Sequence, residues 1–256
     1  MTRIPLPTAF LLQPVAHRAL HDRAAGRPEN SLAAIRAAMD AGYAIEIDLQ
    51  LSSDGVALVF HDEDLPRLTG RSGWAADHTA AELGAMTLLG TDETVPTLAG
   101  VLALVDGKVP LLIEIKDQML SPIGRIGPLE KATAAALAGY DGPVALMSFN
   151  PDSVAEMARL CPDLPRGLTT GSYDPVSYAP LSPVLCDRLR EIPDYDRTGA
   201  SFISHEAADL PRPRVAELKA QGAAILCWTI RSPEAEATAR KIADNITFEG
   251  YLAAKA

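Results

Sequence analysis

The sequence predicts a closed barrel of parallel strands wrapped in helices, the (β/α)8 arrangement of TIM-type folds. Short apolar runs alternate with longer segments of helical periodicity, an order that builds a parallel sheet with helices outside it. Eight such runs can be placed, enough to close a barrel, and the 256 residues suit one barrel of the usual ~250-residue size. No Pro/Gly/Ser linker, low-complexity block or internal repeat divides residues 1–256, so one domain is expected.

The expected strands are residues 11–17, 43–51, 56–60, 110–116, 144–148, 166–169, 202–204 and 224–229. Helices fit at 31–41, 98–105, 129–137, 153–160, 184–190, 214–220 and 233–242. The first carries Leu32, Ile35 and Met39 on one face, with Asn30 or Ser31 available as N-cap and Gly42 as stop. The second and third strands are separated only by Ser52-Ser53-Asp54-Gly55, too short for a helical crossover, so a hairpin-like link is expected there. A turn centred on Ser53-Asp54 would set Glu46 opposite His61, and one centred on Asp54-Gly55 would set Asp48 there. Residues 63–97 exceed an ordinary connection and read as a functional loop or insertion over one end of the barrel. Within it, Trp74 reads as an anchor buried by its ring.

Composition narrows the function. A net charge of -10, from 23 basic and 33 acidic residues, offers no cationic stripe for nucleic acid. No apolar run approaches the ~20 residues of a membrane span. The apolar start at residues 7–16 is short, broken by Pro14 and lacks a basic cluster, unlike a signal peptide. Cys161, Cys186 and Cys227 are odd in number and far apart, which fits buried thiols in a reducing, cytoplasmic setting.

The informative stretch is Ile45-Glu46-Ile47-Asp48. Alternation sets Glu46 and Asp48 on one face of a core strand, roughly 7 Å apart. The run Leu111 to Lys116 repeats the pattern, with Glu114 and Lys116 sharing a face. Three carboxylates gathered in a barrel interior are costly without a cation, and oxygen donors alone suit Mg2+ or Ca2+ rather than zinc. His17 and His61 end two other strands and can carry protons. With Arg18 and Lys116 as further cations, the set suits a phosphodiester. His21 lies four residues after His17, but with no helix expected and no partner motif it reads as a loop residue. Glu29 reads equally as part of the ligand shell or as an acid at a helix N-terminus.

These residues resemble the glycerophosphodiester phosphodiesterase family. They stand here as His17-Arg18-Ala19, Pro28-Glu29-Asn30, Glu46-Ile47-Asp48, His61-Asp62 and Glu114-Ile115-Lys116, followed by Ser148-Phe149 and Cys227-Trp228-Thr229. The resemblance implies a TIM-type barrel in which Glu46, Asp48 and Glu114 hold Mg2+ or Ca2+ and His17 and His61 act as acid and base. It also implies Arg18 and Lys116 at the phosphate, Trp228 against the glycerol, and hydrolysis of a small-molecule glycerophosphodiester to glycerol 3-phosphate and an alcohol. Alternatives are a lysophospholipase D-like phosphodiesterase and a barrel that binds such diesters without turnover. Three positions depart from the family pattern: Ala19 replaces a glycine, Arg231 an asparagine, and the ending Ile246 to Leu252 lacks a Thr-Asp-x-Pro motif.

Overall fold

The computed structural model describes residues 2–116 and 126–255. Its strands are β1 (Val15–Ala16), β2 (Ala44–Leu51), β3 (Ala57–Val59), β4 (Leu111–Ile115), β5 (Val144–Ser148), β6 (Arg166–Thr170), β7 (Phe202–Glu206), β8 (Ala224–Ile230) and β9 (Asn245–Phe248). Their order is β1-β9-β8-β7-β6-β5-β4-β2-β3, and a further pairing of β1 with β2 closes the ring. Every pairing around the ring is parallel, so eight strands form a (β/α)8 barrel with β3 outside it.

Strand alternation divides the side chains between two layers. Ile45, Ile47 and Leu49 of β2 and Leu111, Ile113 and Ile115 of β4 point outward and pack with helix residues such as Ile35, Val101 and Leu102. Inside, Ala44, Leu112, Ala145, Phe202 and Leu226 fill the lower barrel, and Phe10 joins them. Gly167 belongs to this layer because Phe202 leaves no room for more: a Cβ there would meet the ring at 2.4 Å. Asn245 Nδ2 donates to Phe10 O at 2.7 Å and Gln13 O at 2.6 Å, tying the N-terminal segment beneath the ring. Higher on the same inward face the residues turn acidic: Glu46, Asp48 and Glu114, with Asp48 and Glu114 paired in register.

The expected helices all form, each starting within two residues of the expected position. The strands differ in three ways. The first is only Val15–Ala16, because Ala9–Leu12 makes a helical turn and Pro14 has no N–H to give a ladder. The expected third strand is not part of the ring: β3 runs antiparallel to β2 and hydrogen-bonds it from outside. The eighth ring strand is instead β9, which the sequence hides because its inward residues, Asn245 and Thr247, are polar and leave no apolar run.

Neither expected hairpin register occurs. Leu49 pairs with Val59 and Leu51 with Ala57, centring the turn on Asp54, and the Phe60 N–H donates to Asp48 O at 3.0 Å. Residues 63–97 contribute to a small apolar core of their own, with Leu65, Leu68, Leu83 and Val95 packed on Leu58 and Phe60. Glu93 docks this lobe on the barrel by accepting from Ala33 N, in the first turn of helix Leu32–Asp40. Trp74 does not anchor it, for the residue is 42% exposed.

Candidate active site

The strand register delivers the carboxylates to one place. Glu46, Asp48 and Glu114 are all buried, and each offers an oxygen within 4.8 Å of the others. Lys116, one residue past β4, spans two of them, with Nζ 2.8 Å from Asp48 Oδ1 and 2.6 Å from Glu114 Oε1. Asn30 Nδ2 donates to Asp48 Oδ2 at 2.9 Å. Asn30 can do so because Ser31 is the N-cap of helix Leu32–Asp40, leaving Asn30 in a left-handed conformation (φ +60°) outside it.

Glu46 is held differently. The chain turns through left-handed Arg18 and Ala19 (φ +49° and +64°), so Arg18 N–H donates to Glu46 Oε2 at 2.7 Å and Ala19 N–H to Glu46 O. A side chain is thus accepted at Ala19, where glycine would be the easier residue. Burial, followed by the charges of Asp48 and Glu114, pushes the Glu46 carboxyl well above its usual range. Asp48 goes the other way: burial opposes its ionisation, but Lys116, His61 and Arg18 outweigh it and hold the group far below the carboxylate norm. Burial likewise opposes the charge on Lys116, and Asp48 and Glu114 overcome it, keeping the ammonium charged.

The two histidines are mounted alike. His17 Nδ1 lies 2.5 Å from Glu249 Oε2, and Arg231 Nε donates to the other Glu249 oxygen at 2.8 Å. His61 Nδ1 lies 2.7 Å from Asp62 Oδ1, and Arg67 Nε donates to Asp62 Oδ2 at 2.6 Å. Each carboxylate is ionised, Glu249 chiefly through His17 and Asp62 because His61 and Arg67 override its burial. Each imidazole therefore donates from Nδ1 and leaves Nε2 to take or give a proton. Burial lowers the pKa of His17, with Glu249 pulling partly against it. Arg67 also grips Glu29, which Arg18 reaches at 2.7 Å, so Glu29 is a bridge between two guanidiniums.

His17, Arg18, Glu46, Asp48, His61, Glu114, Lys116 and Trp228 line one cavity of about 170 Å3. All eight residues singled out in the sequence meet there. Trp228 Nε1 donates to Ser204 O at 3.0 Å and its ring meets Phe149 edge-to-face at 5.5 Å. A larger cavity of about 890 Å3 shares His61, Glu114, Lys116 and Phe149 with it and continues over Tyr178, Leu181, Leu185 and Leu189. His205 is fully buried against Thr170 and Asp209, a packing role. Cys186 and Cys227 are buried and Cys161 half-buried, all as free thiols.

Sequence reasoning passed over Asn30, Arg67 and Glu249 as parts of the site. Asn30 lies in the quoted Pro28-Glu29-Asn30. Glu249 and Arg231 fall in the two C-terminal departures, and their opposite charges were the available signal that the departures are partners.

The ring topology and this acidic, histidine-flanked mouth at the carboxyl ends of the strands define a (β/α)8 barrel with its site in the customary place. The particular family follows from comparison. A sequence model of the glycerophosphoryl diester phosphodiesterase family matches residues 17–245, and the chain belongs to that family. It is 36% identical over 149 residues to a glycerophosphodiester phosphodiesterase of Caldanaerobacter subterraneus subsp. tengcongensis, covering 55% of this chain and 60% of that one. The match thus spans less than two thirds of that relative. It is 29% identical over 233 residues to YhdW of Bacillus subtilis, covering 87% and 88%. The fold matches that of an Oleispira antarctica phosphodiesterase solved with the product sn-glycerol-3-phosphate, with a TM-score of 0.71, 24% identity and 94% of both chains covered.

Proposed function

We propose that this protein hydrolyses glycerophosphodiesters to glycerol 3-phosphate and an alcohol, using a divalent cation and two histidines. The observation that carries the reading is the pair of imidazoles, each fixed at Nδ1 by a carboxylate, on one cavity with three buried carboxylates. Glu46, Asp48 and Glu114 would hold the cation. They fit one: around them Glu29, Glu46, Asp48, Asp62 and Glu114 outnumber Arg18, Arg67 and Lys116, and buried Glu46 is disfavoured as an anion with only an amide hydrogen bond at its carboxylate among the described residues. All-oxygen donors favour Mg2+ or Ca2+. When bound, such an ion supplies charge stabilisation for the phosphoryl oxygens.

The chain's own groups do the rest. Arg18 and Lys116 draw the phosphate into the mouth, while Trp228 gives the glycerol an apolar wall with its N–H already committed to Ser204. Of His17 and His61, one Nε2 takes the proton from the attacking water and the other returns one to the leaving alkoxide. The carboxylates at Nδ1 orient both rings and support the imidazolium as it forms.

The named activities of the curated relatives and the bound product in the Oleispira structure support this substrate class. The Leu181, Leu185 and Leu189 lining of the larger cavity favours a second reading, a lysophospholipase D-like phosphodiesterase whose substrate carries an acyl chain on the glycerol and releases its head-group alcohol. A panel of glycerophosphocholine, glycerophosphoethanolamine and lysophospholipids, assayed for the released alcohol and for glycerol 3-phosphate or lysophosphatidic acid, separates the two. His17→Ala and His61→Ala are expected to lose at least about 100-fold in kcat. Unchanged turnover in either variant would refute the two-histidine scheme.

A further inference from the structure

His17, His21 and Glu249 form a second group able to grip a metal, each offering a donor atom within 4.8 Å of the others. The spacing of His17 and His21 suggests no site in the sequence, since a four-residue spacing brings two imidazoles together most simply on a helix and none is expected there. Here a different geometry does it. The left-handed pair Arg18-Ala19 folds the chain back, and Glu249, past the end of β9, supplies the third donor. Glu249 Oε2 lies 2.5 Å from His17 Nδ1 and 3.6 Å from His21 Nε2.

His21 Nε2 is shut off from solvent and, among the described residues, has no partner within hydrogen-bond distance, its ion-pair contact with Glu249 being 3.6 Å long. An imidazole nitrogen held at that distance lacks a close ligand contact, which a cation between it and Glu249 would provide. The other Glu249 oxygen is already oriented by Arg231, the kind of outer support that metal-binding carboxylates carry. A groove of about 550 Å3 lined by His21, Asp22, Arg27 and Glu249 gives access from solvent.

We infer that His17, His21 and Glu249 form an inhibitory site for a transition-metal ion of the Zn2+ class. Two imidazoles and one carboxylate select Zn2+, Co2+ or Ni2+ over Mg2+ and Ca2+, the reverse of the all-carboxylate cluster beside them. Small side-chain rotations bring the donors to the roughly 3.4 Å mutual spacing of ligands about 2.1 Å from a tetrahedral ion. The metal takes the place of the Nδ1 proton of His17: a neutral ring moves that proton to Nε2 and an imidazolium releases it to solvent, so in either case the one proton left is on Nε2. With that proton fixed, Nε2 can no longer accept one, and a metal-bound neutral imidazole is a far weaker acid than imidazolium. Turnover stops while the carboxylate cluster stays loaded.

The inhibition rests on the phosphodiesterase reading above; the binding does not. Zn2+ uptake is therefore measured first, by competition with a chromogenic chelator on protein saturated with Mg2+. Wild type is expected to take up one Zn2+ per chain, and His21→Ala and His21→Gln to bind at least about tenfold more weakly. The Glu46→Gln, Asp48→Asn double variant, crippled at the carboxylate cluster, is expected to bind Zn2+ as wild type does. In turnover assays the His21 variants should keep wild-type rates in Mg2+ within about twofold and need at least tenfold more Zn2+ for half inhibition. Equal Zn2+ binding by wild type and both His21 variants would overturn the site, as would loss of Zn2+ binding in the double variant. Zn2+ bound through His21 without inhibition would overturn the inhibitory role.

Discussion

Lys116 Nζ lies 2.8 Å from Asp48 Oδ1 at the barrel mouth, and the same ammonium reaches Glu114 at 2.6 Å. One cation thus serves two buried carboxylates, and among the described residues the Glu46 carboxylate beside them accepts a hydrogen bond only from the Arg18 amide. Such a cluster is short of positive charge. The thermal midpoint is therefore expected to rise when Mg2+ or Ca2+ is added to EDTA-treated protein. At 100 times Kd the gain is about 2.7 kcal/mol, or roughly 5–10 °C for a chain of this size. Glu46→Gln should abolish most of that rise, and differential scanning fluorimetry reads both.

Replacing Lys116 by Met tests the same balance from the other side. Removing one partner of a buried ion pair costs about 3–5 kcal/mol. The Lys116→Met protein should be much less stable than wild type in EDTA, and a saturating divalent cation should recover a larger part of the loss than it adds to wild type. A variant as stable as wild type without metal would show that Asp48 and Glu114 need no cation.

Glu249 raises the pKa of His17 against the lowering effect of burial. Glu249→Gln removes the pull and leaves burial, so the pKa of His17 should fall further. The direction is the same whichever role the ring plays. If His17 is the base, the acidic limb of the kcat/KM profile moves down in pH; if it is the acid, the basic limb does. The limb that moves assigns the role, and immobile limbs would show that Glu249 does not tune His17.

Asp62 and Glu29 share Arg67, and burial opposes their ionisation while hydrogen bonds from His61 and Arg67 at Asp62, and from Arg67 and Arg18 at Glu29, prevail. Both carboxylates therefore titrate below their unfolded values near 4. Their contribution to stability is complete above that pH and is lost as the pH falls through the folded values. Arg67 is half exposed, so Arg67→Ala should cost only about 1 kcal/mol at pH 7. The difference from wild type should shrink as the pH falls from 5 to 2, which urea titrations at a series of pH values would reveal. A constant difference would remove the electrostatic account.

Ala19 stands at φ +64° with its methyl buried. The left-handed conformation costs a non-glycine residue roughly 1 kcal/mol, and the buried methyl returns about 0.8 kcal/mol. The two nearly cancel. Ala19→Gly should accordingly change stability by less than about 1 kcal/mol, with kcat unaltered.

Much of this arrangement was legible in the chain itself, and the exceptions have physical causes. Alternation in Ile45-Glu46-Ile47-Asp48 and in the strand ending at Glu114 revealed the acidic inner face, because a period of two admits only two faces. The ring strand Asn245–Phe248 escaped notice since its inner residues are polar and a four-residue strand has no periodicity to read. The hairpin register failed by one residue, as turn geometry rather than composition sets it. Glu249 was invisible as a partner of His17 because 232 residues separate them and only ring closure through β1 and β9 makes them neighbours.

The central claim is that Glu46, Asp48 and Glu114 hold one divalent cation required for glycerophosphodiester hydrolysis. Chelator-stripped protein, titrated with Mg2+ or Ca2+ while glycerol 3-phosphate release from glycerophosphocholine is followed, tests it most directly. Activity should be absent from the stripped protein, return to a plateau with a single bound ion per chain, and fail to return in Glu114→Gln. Full turnover by stripped protein, or full recovery in Glu114→Gln, would contradict the account.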